Sequence, residues 1–156
     1  MEIHSKLEIW AEWKEFLELF LIQNVEFVIV GAVALAAHGE PRWTGDLDVL
    51  IRPNEENAAR VLNALEIFGF GGIGLTEKDF STAGFTVQLG REPRRIDILT
   101  SISGVSIDEA FASKIEAELL ELELPFLGRD ELIRNKRATQ RERDLRDAAV
   151  LERLKD

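Results

Sequence analysis

Two aspartates, Asp46 and Asp48, open the run Asp46-Leu47-Asp48-Val49-Leu50-Ile51. In a β-strand successive side chains point to opposite faces, so both carboxylates emerge on one face while Leu47 and Val49 fill the other. Neighbouring carboxylates repel, which raises their pKa values or calls for a cation. A hard divalent ion with oxygen ligands meets that need. Magnesium in particular takes one or two carboxylates and completes its shell with waters and substrate phosphate oxygens. A third aspartate, Asp97, stands between Ile96 and Ile98 in a later apolar run. A carboxylate flanked in this way in a strand is costly unless it faces a cleft or a cation. An Asp-apolar-Asp triplet alone is a common surface feature, so its neighbours decide the chemistry.

Two neighbours point to phosphate. Phe27-Val28-Ile29-Val30 is a β-branched apolar run, followed at once by Gly31 and then by an Ala-rich segment, 32–38, that stops at Gly39. A corner from strand through glycine into a helix start presents free backbone N–H groups and a positive dipole end. Gly31 lets the chain turn and lets a phosphate approach the backbone. The second neighbour is a basic segment. Between residues 129 and 146, Arg129, Arg134, Lys136, Arg137, Arg141, Arg143 and Arg146 face four acidic residues, so this stretch is +3 in a chain of net charge −10. It is either a solvated helix face balanced by i,i+4 pairs or a phosphate-facing wall opposite an acidic, metal-binding one.

The elements that must position these residues follow from apolar periodicity. Residues 6–23 form an amphipathic helix carrying Leu7, Trp10, Trp13, Leu17, Phe20 and Leu21. The tryptophans on it are core residues or part of an oligomer face, and a homodimer is one expectation. A strand at 27–30, a short helix at 32–38, a loop at 40–45 and a strand at 46–51 come next. Asn54 caps a helix reaching about residue 68, and a Gly-rich loop spans 69–74. Strands at 85–89 and 95–99 form a pair, with Pro93-Arg94-Arg95 as the turn into the second. Ser106 and Glu109 form a capping box that starts a short helix. Residues 113–126 are ambiguous between strand and helix, and two helices broken near Thr139-Gln140 fill 129–154. Too few helices alternate with strands for a doubly wound sheet. The expected class is therefore α+β, a small mixed sheet with helices packed on it. The chain of 156 residues reads as one domain. Its parts are an N-terminal helix at 1–24, a core sheet at 25–100 and a helical part at 101–156.

Composition narrows the function classes. The absence of cysteine excludes disulfides, thiolate zinc sites, iron–sulfur clusters and a cysteine nucleophile. Apolar residues at 46% and charged residues at 31% suit a globular domain rather than a disordered one. No apolar run reaches the length of a membrane span, and Glu2, His4 and Glu8 do not suit a signal peptide, so the cytoplasm is the expected location. The net charge argues against binding duplex nucleic acid. The run Gly69-Phe70-Gly71-Gly72-Ile73-Gly74 matches the dinucleotide fingerprint letter for letter. It follows a helix rather than a strand, however, and so reads as a flexible loop. His4 and His38 have no partner at metal spacing. Beside Gly39, His38 reads as a structural group at a helix end.

The order Val30-Gly31-Ala32, thirteen residues, Asp46-Leu47-Asp48-Val49, then Ile96-Asp97-Ile98 resembles the signature of the nucleotidyltransferase superfamily that includes DNA polymerase β. The string from Gly31 through His38, Gly39, Arg42, Thr44 and Gly45 to Asp48 is similar to small bacterial and archaeal nucleotidyltransferase-like proteins related to the toxin of type IV abortive-infection systems. The tail from Leu132 through Lys136 to Arg143-Asp144-Leu145 and Asp147 resembles their C-terminal helices. Ala32 departs from the pattern, which has Gly or Ser there. It keeps the backbone N–H and loses a hydroxyl.

The resemblance implies a nucleotidyltransferase fold and transfer of a nucleoside monophosphate from a nucleoside triphosphate to an acceptor hydroxyl. It implies Mg2+ or Mn2+ on Asp46, Asp48 and Asp97, with Asp97 as general base or as the group that positions the attacking oxygen. Gly31, Ala32, Arg42, Thr44, Lys136 and Arg143 would contact nucleotide or phosphate, with Asp144 or Asp147 orienting Lys136. The acceptor, whether small molecule, protein or RNA end, stays open. A second reading is a nucleotide- or partner-binding module with little or no turnover, such as a toxin–antitoxin component paired with a small helical protein, and a third is an acidic interaction domain whose three aspartates are incidental.

Overall fold

The structure, a computed structural model, describes residues 3–40 and 44–154, with side chains from Ile9 onward. Helix α1 (Ile3–Ile22) leads into strand β1 (Phe27–Val30), a single 3-10 helix (Val33–His38) and strand β2 (Asp46–Ile51). Then come α2 (Glu55–Leu65), α3 (Glu77–Ser81), β3 (Thr86–Leu89), β4 (Arg95–Leu99) and α4 (Ile107–Ser113). The hairpin β5 (Ile115–Leu119) and β6 (Leu122–Phe126) precedes α5 (Arg129–Thr139) and α6 (Glu142–Arg153). The strands form one mixed sheet in the order β3-β4-β2-β1-β6-β5. Pairs β1–β6 and β2–β4 are parallel, and the others are antiparallel. This is the expected α+β class.

Register divides the sheet into two faces. Phe27 opposes Ile51 and Ile29 opposes Val49, while Val30 opposes Asp48, which in turn stands level with Asp97 on β4. Alternation therefore puts Phe27, Ile29, Leu47, Val49, Ile51, Ile96 and Ile98 on one face and Val30, Asp46, Asp48 and Asp97 on the other. The first set is almost wholly buried. Helix α1 covers it, with Phe20 meeting Phe27 edge-on at 5.4 Å between ring centroids and packing on Phe16 at 4.3 Å.

The stripe that α1 buries is Ile9, Trp13, Phe16, Leu17 and Phe20, and Trp10 and Leu21 lie exposed beside it. Trp13 is thus a core residue and Trp10 is not. Of the expected stripe, Trp13, Leu17 and Phe20 are buried, Trp10 and Leu21 are not, and the Leu7 side chain lies outside the described residues.

Three further differences from the sequence reading have local causes. Residues 32–38 wind as a 3-10 rather than an α-helix, closed by Gly39 at φ +93°. Residues 77–81, to which the sequence reading assigns no element, form a turn of helix held by a Thr76–Asp79 capping box, with Phe80 fully buried. The ambiguous stretch 113–126 is a hairpin that extends the sheet past β1, so the part beyond residue 100 is not purely helical.

The β1–β2 pair that carries the acids is clamped at its far end by Asn57, which is 1% exposed. Its Oδ1 accepts the Glu26 N–H at 2.7 Å, and its Nδ2 donates to the carbonyls of Glu26 at 3.0 Å and Arg52 at 2.9 Å. Asn57→Ala would leave the Glu26 N–H without its partner and take one of two donors from each of the Glu26 and Arg52 carbonyls. It should cost about 2–4 kcal/mol by urea denaturation, against about 1 kcal/mol for Asn54→Ala, which removes only the α2 cap. Equal losses would show that the clamp is not what holds the strand ends.

Candidate functional site

Strand alternation and the level register of Asp48 with Asp97 bring the three carboxylates together. One oxygen from each of Asp46, Asp48 and Asp97 lies within 4.8 Å of the others. The lower wall of the cleft is completed by Val30 and Gly31 on the β1 side and by Thr86 and Gln88 on β3. Its upper wall is α5 and the start of α6, with Lys136, Thr139, Arg141, Arg143 and Asp144. The cleft holds about 580 Å³, within the range of ligand sites for small molecules and cofactors.

Electrostatics set this cluster apart from an ordinary acidic surface. Burial first, and then the charges of Asp46 and Asp97, push the Asp48 carboxyl up to about 8. Burial also raises Asp97, against the opposing pull of Arg95. Among the described residues no cation pairs with Asp48. Asp97 Oδ1 is buried with no hydrogen-bond partner. An all-oxygen set, with a buried acceptor that Arg95 Nε approaches to 3.0 Å without an aligned hydrogen bond and a carboxyl driven to keep its proton, fits a hard divalent cation such as magnesium or manganese.

The corner at Gly31 is shaped by Asp48. Gly31 takes φ +68°, and a Cβ built there would overlap Asp48 Oδ2. Glycine therefore serves close approach as well as the turn. Ala32 lines the cleft beside it. Because the following 3-10 helix is one short piece, any anion held here would rest on individual amides rather than on a long helix dipole.

The other expected residues fall as follows. Thr44 is buried, and its hydroxyl donates to Asp46 Oδ1 at 3.1 Å. Lys136 is 3% exposed, with Nζ 3.0 Å from Asp147 Oδ2 and 3.5 Å from Asp144 Oδ1. Asp144 also accepts from Thr139 at 2.7 Å and pairs with Arg141 at 3.0 Å. These partners hold its carboxyl below the usual range despite partial burial. Arg143 is exposed on the rim and pairs with no described acid. Arg42 and Trp43 lie outside the described residues, as does the His4 side chain. His38 meets the Leu127 carbonyl at 2.8 Å, a structural tie between the 3-10 helix and the end of β6.

The basic segment divides between its two readings. Arg129, Arg134, Arg137 and Arg146 pair with Asp130, Glu109, Glu152 and Glu142, whereas Lys136, Arg141 and Arg143 line the cleft.

Sequence reasoning set Arg95 where the turn enters the 95–99 strand, as the structure does, but gave it no part in the site. Its guanidinium reaches Asp46 Oδ2 at 3.2 Å and Asp97 Oδ1 at 3.0 Å. The signal was present, since a residue two before Asp97 in a strand shares its face.

No family model matches the chain, and no curated protein does either. Among solved structures, the fold is similar to that of a candidate nucleotidyltransferase from Thermotoga maritima. The TM-score is 0.59 at 17% identity, over 98% of this chain and 94% of that one. At that identity the likeness establishes the fold.

Two predictions follow from this geometry. Without metal, folded Asp48 keeps its proton to about pH 8, whereas an unfolded aspartate loses it near 3.8. The folded chain binds more protons between those values. This contribution to stability is complete at the acid end and is lost as pH rises through the window. The Tm in EDTA should therefore fall from pH 4 to pH 8, less so in Asp48→Asn, and added Mn2+ should raise it most at the upper end. Superimposable profiles for the two proteins would contradict this. Gly31→Ala should lose at least about 1–2 kcal/mol to the left-handed backbone alone, and more from the overlap with Asp48. Its Mn2+ binding should be lost as well, as read by calorimetry.

Proposed function

We propose that this protein is a metal-dependent nucleotidyltransferase that moves a nucleoside monophosphate from a nucleoside triphosphate to an acceptor hydroxyl. The observation that carries the reading is the convergence of Asp46, Asp48 and Asp97 beside the Gly31 corner in one cleft. The fold shared with the Thermotoga maritima protein supports it.

Asp46 and Asp48 would hold the divalent cation, with Asp97 completing the set and Thr44 orienting Asp46 through its hydroxyl. A bound divalent cation supplies charge neutralisation at the phosphates and lowers the pKa of an acceptor hydroxyl. Asp97 takes that hydroxyl's proton as general base. The acceptor oxygen bonds to the α-phosphorus, the bond to the β-phosphate's bridging oxygen breaks, and pyrophosphate leaves. The amides of Gly31 and Ala32 bind phosphate on the β1 side of the acids. On the opposite wall Arg143 is, among the described residues, the cation free to meet phosphate. Lys136, fixed by Asp144 and Asp147, sets the shape and charge of that wall.

One observation favours a second reading. Lys136 is buried and already committed to two carboxylates, which suits a module that binds nucleotide or a partner protein without turnover. The two readings separate on pyrophosphate release. With labelled nucleoside triphosphates, Mn2+ and a range of acceptors, the wild type should transfer label. Asp46→Ala/Asp48→Ala should fall by at least about 10³-fold, since the charge-stabilising term is removed. Metal-dependent nucleotide binding with no release from either protein would select the binding module. Equal labelling by both would end the enzymatic reading.

A further inference from the structure

Arg95 and Asp97 leave β4 on the same face, and Arg95 stands level with Asp46 on the neighbouring strand. The guanidinium is thereby stretched across two acids. Nη2 lies 3.2 Å from Asp46 Oδ2 and 3.2 Å from Asp97 Oδ2, and Nε lies 3.0 Å from Asp97 Oδ1. The fit is imperfect. Nε and Asp97 Oδ1 are both buried, close and too misaligned to form a hydrogen bond. A planar fork gains most by docking bidentately on one carboxylate. Here it is shared between two, and the third carboxylate, Asp48, has no cation at all among the described residues. The head group is not locked in. Its side chain is 28% exposed, and Nη1 comes only to 4.0 Å of Glu92, itself largely exposed.

We infer that Arg95 is the resident counter-ion of the carboxylate cluster. It holds Asp46 and Asp97 together when no divalent cation is bound, and it gives them up when one binds. The inference rests on the metal-binding reading of the cluster proposed above. It makes Arg95 a positioning residue with a defined cost: its positive charge, about 3 Å from two ligand carboxylates, opposes the cation that the same carboxylates are built to hold. A purely structural buttress would act in the reverse sense, because its removal would let the acids splay and weaken cation binding.

The test is Mn2+ binding by the full chain, read by electron paramagnetic resonance without nucleotide, for wild type, Arg95→Gln and Arg95→Lys, with melting in EDTA alongside. Arg95→Gln should bind Mn2+ on the order of tenfold more tightly, a screened fraction of the Coulomb term at this distance. It should melt below wild type in EDTA and recover when Mn2+ saturates it. Arg95→Lys should fall between the two, since an ammonium on a flexible stem cannot bridge both acids with a planar fork. It also supplies the measurement if Arg95→Gln does not fold in EDTA. Binding by either folded variant that is no tighter than wild type overturns the counter-ion role while leaving the metal site standing. Failure of wild type and variants alike to bind Mn2+ overturns both the counter-ion role and the metal-dependent reading.

Discussion

Three carboxylates converging within 4.8 Å on adjoining strands, with one arginine between two of them, is the arrangement on which the rest of the cleft depends. Like charges at such separations repel strongly where water is partly excluded. The protein relieves the repulsion in three ways. Arg95 neutralises part of it, Thr44 donates to Asp46, and Asp48 keeps its proton. Each is a partial remedy. A divalent cation answers all three acids together, and the proposed chemistry grows from that mismatch.

The sheet holds the acids against their repulsion. Strand β2 is central, paired to β1 on one side and β4 on the other, with Leu47, Val49 and Ile51 wholly buried on its reverse face. A slip of one residue in β2 would turn Asp46 and Asp48 into the core and Leu47 into the cleft. The hydrophobic face therefore enforces the placement of the charged one. Asn57 ties the start of β1 to the end of β2. At the upper wall, Asn135 donates to the Ser103 carbonyl and Arg134 to that of Gly104, which docks α5 on the loop after β4. The upper wall is thus referenced to the strand that carries Asp97.

What could be read from the sequence follows the same physics. Strands β1, β2 and β4 are apolar, rich in β-branched residues and bounded by glycine, proline or charge, so their limits and the shared face of Asp46 and Asp48 were legible. The hairpin β5–β6 was not. Its two-residue turn is Leu120-Glu121, both in the left-handed region at φ +54° and +65°. Such turns are normally marked by Asn-Gly or Asp-Gly. Without that mark, and with Ala, Glu and Leu abundant, the stretch reads equally well as helix. Helix α3 is too short for periodicity and is anchored by Phe80 alone among its buried residues. The division of the basic segment into surface ion pairs and cleft residues depends on which side of α5 meets the sheet. That is a tertiary fact that no charge count contains.

The two walls together argue that nucleotide and cation would bind as a pair under the proposed function. The upper wall offers Lys136, Arg141 and Arg143, but Lys136 is bound to Asp144 and Asp147, and Arg141 to Asp144. Among the described residues little uncommitted positive charge faces the acids. A polyphosphate entering alone would meet three aspartates across the cleft, in a chain of net charge −10. A cation entering alone must displace Arg95 and the proton on Asp48. Brought together, the phosphate oxygens complete the ion's shell and the ion screens the phosphates from the carboxylates. Ala32 is compatible with this arrangement, because what the corner must supply is a backbone N–H and the room that Gly31 leaves beside Asp48. Discrimination against anions arriving without a metal is then a property of the charge layout itself.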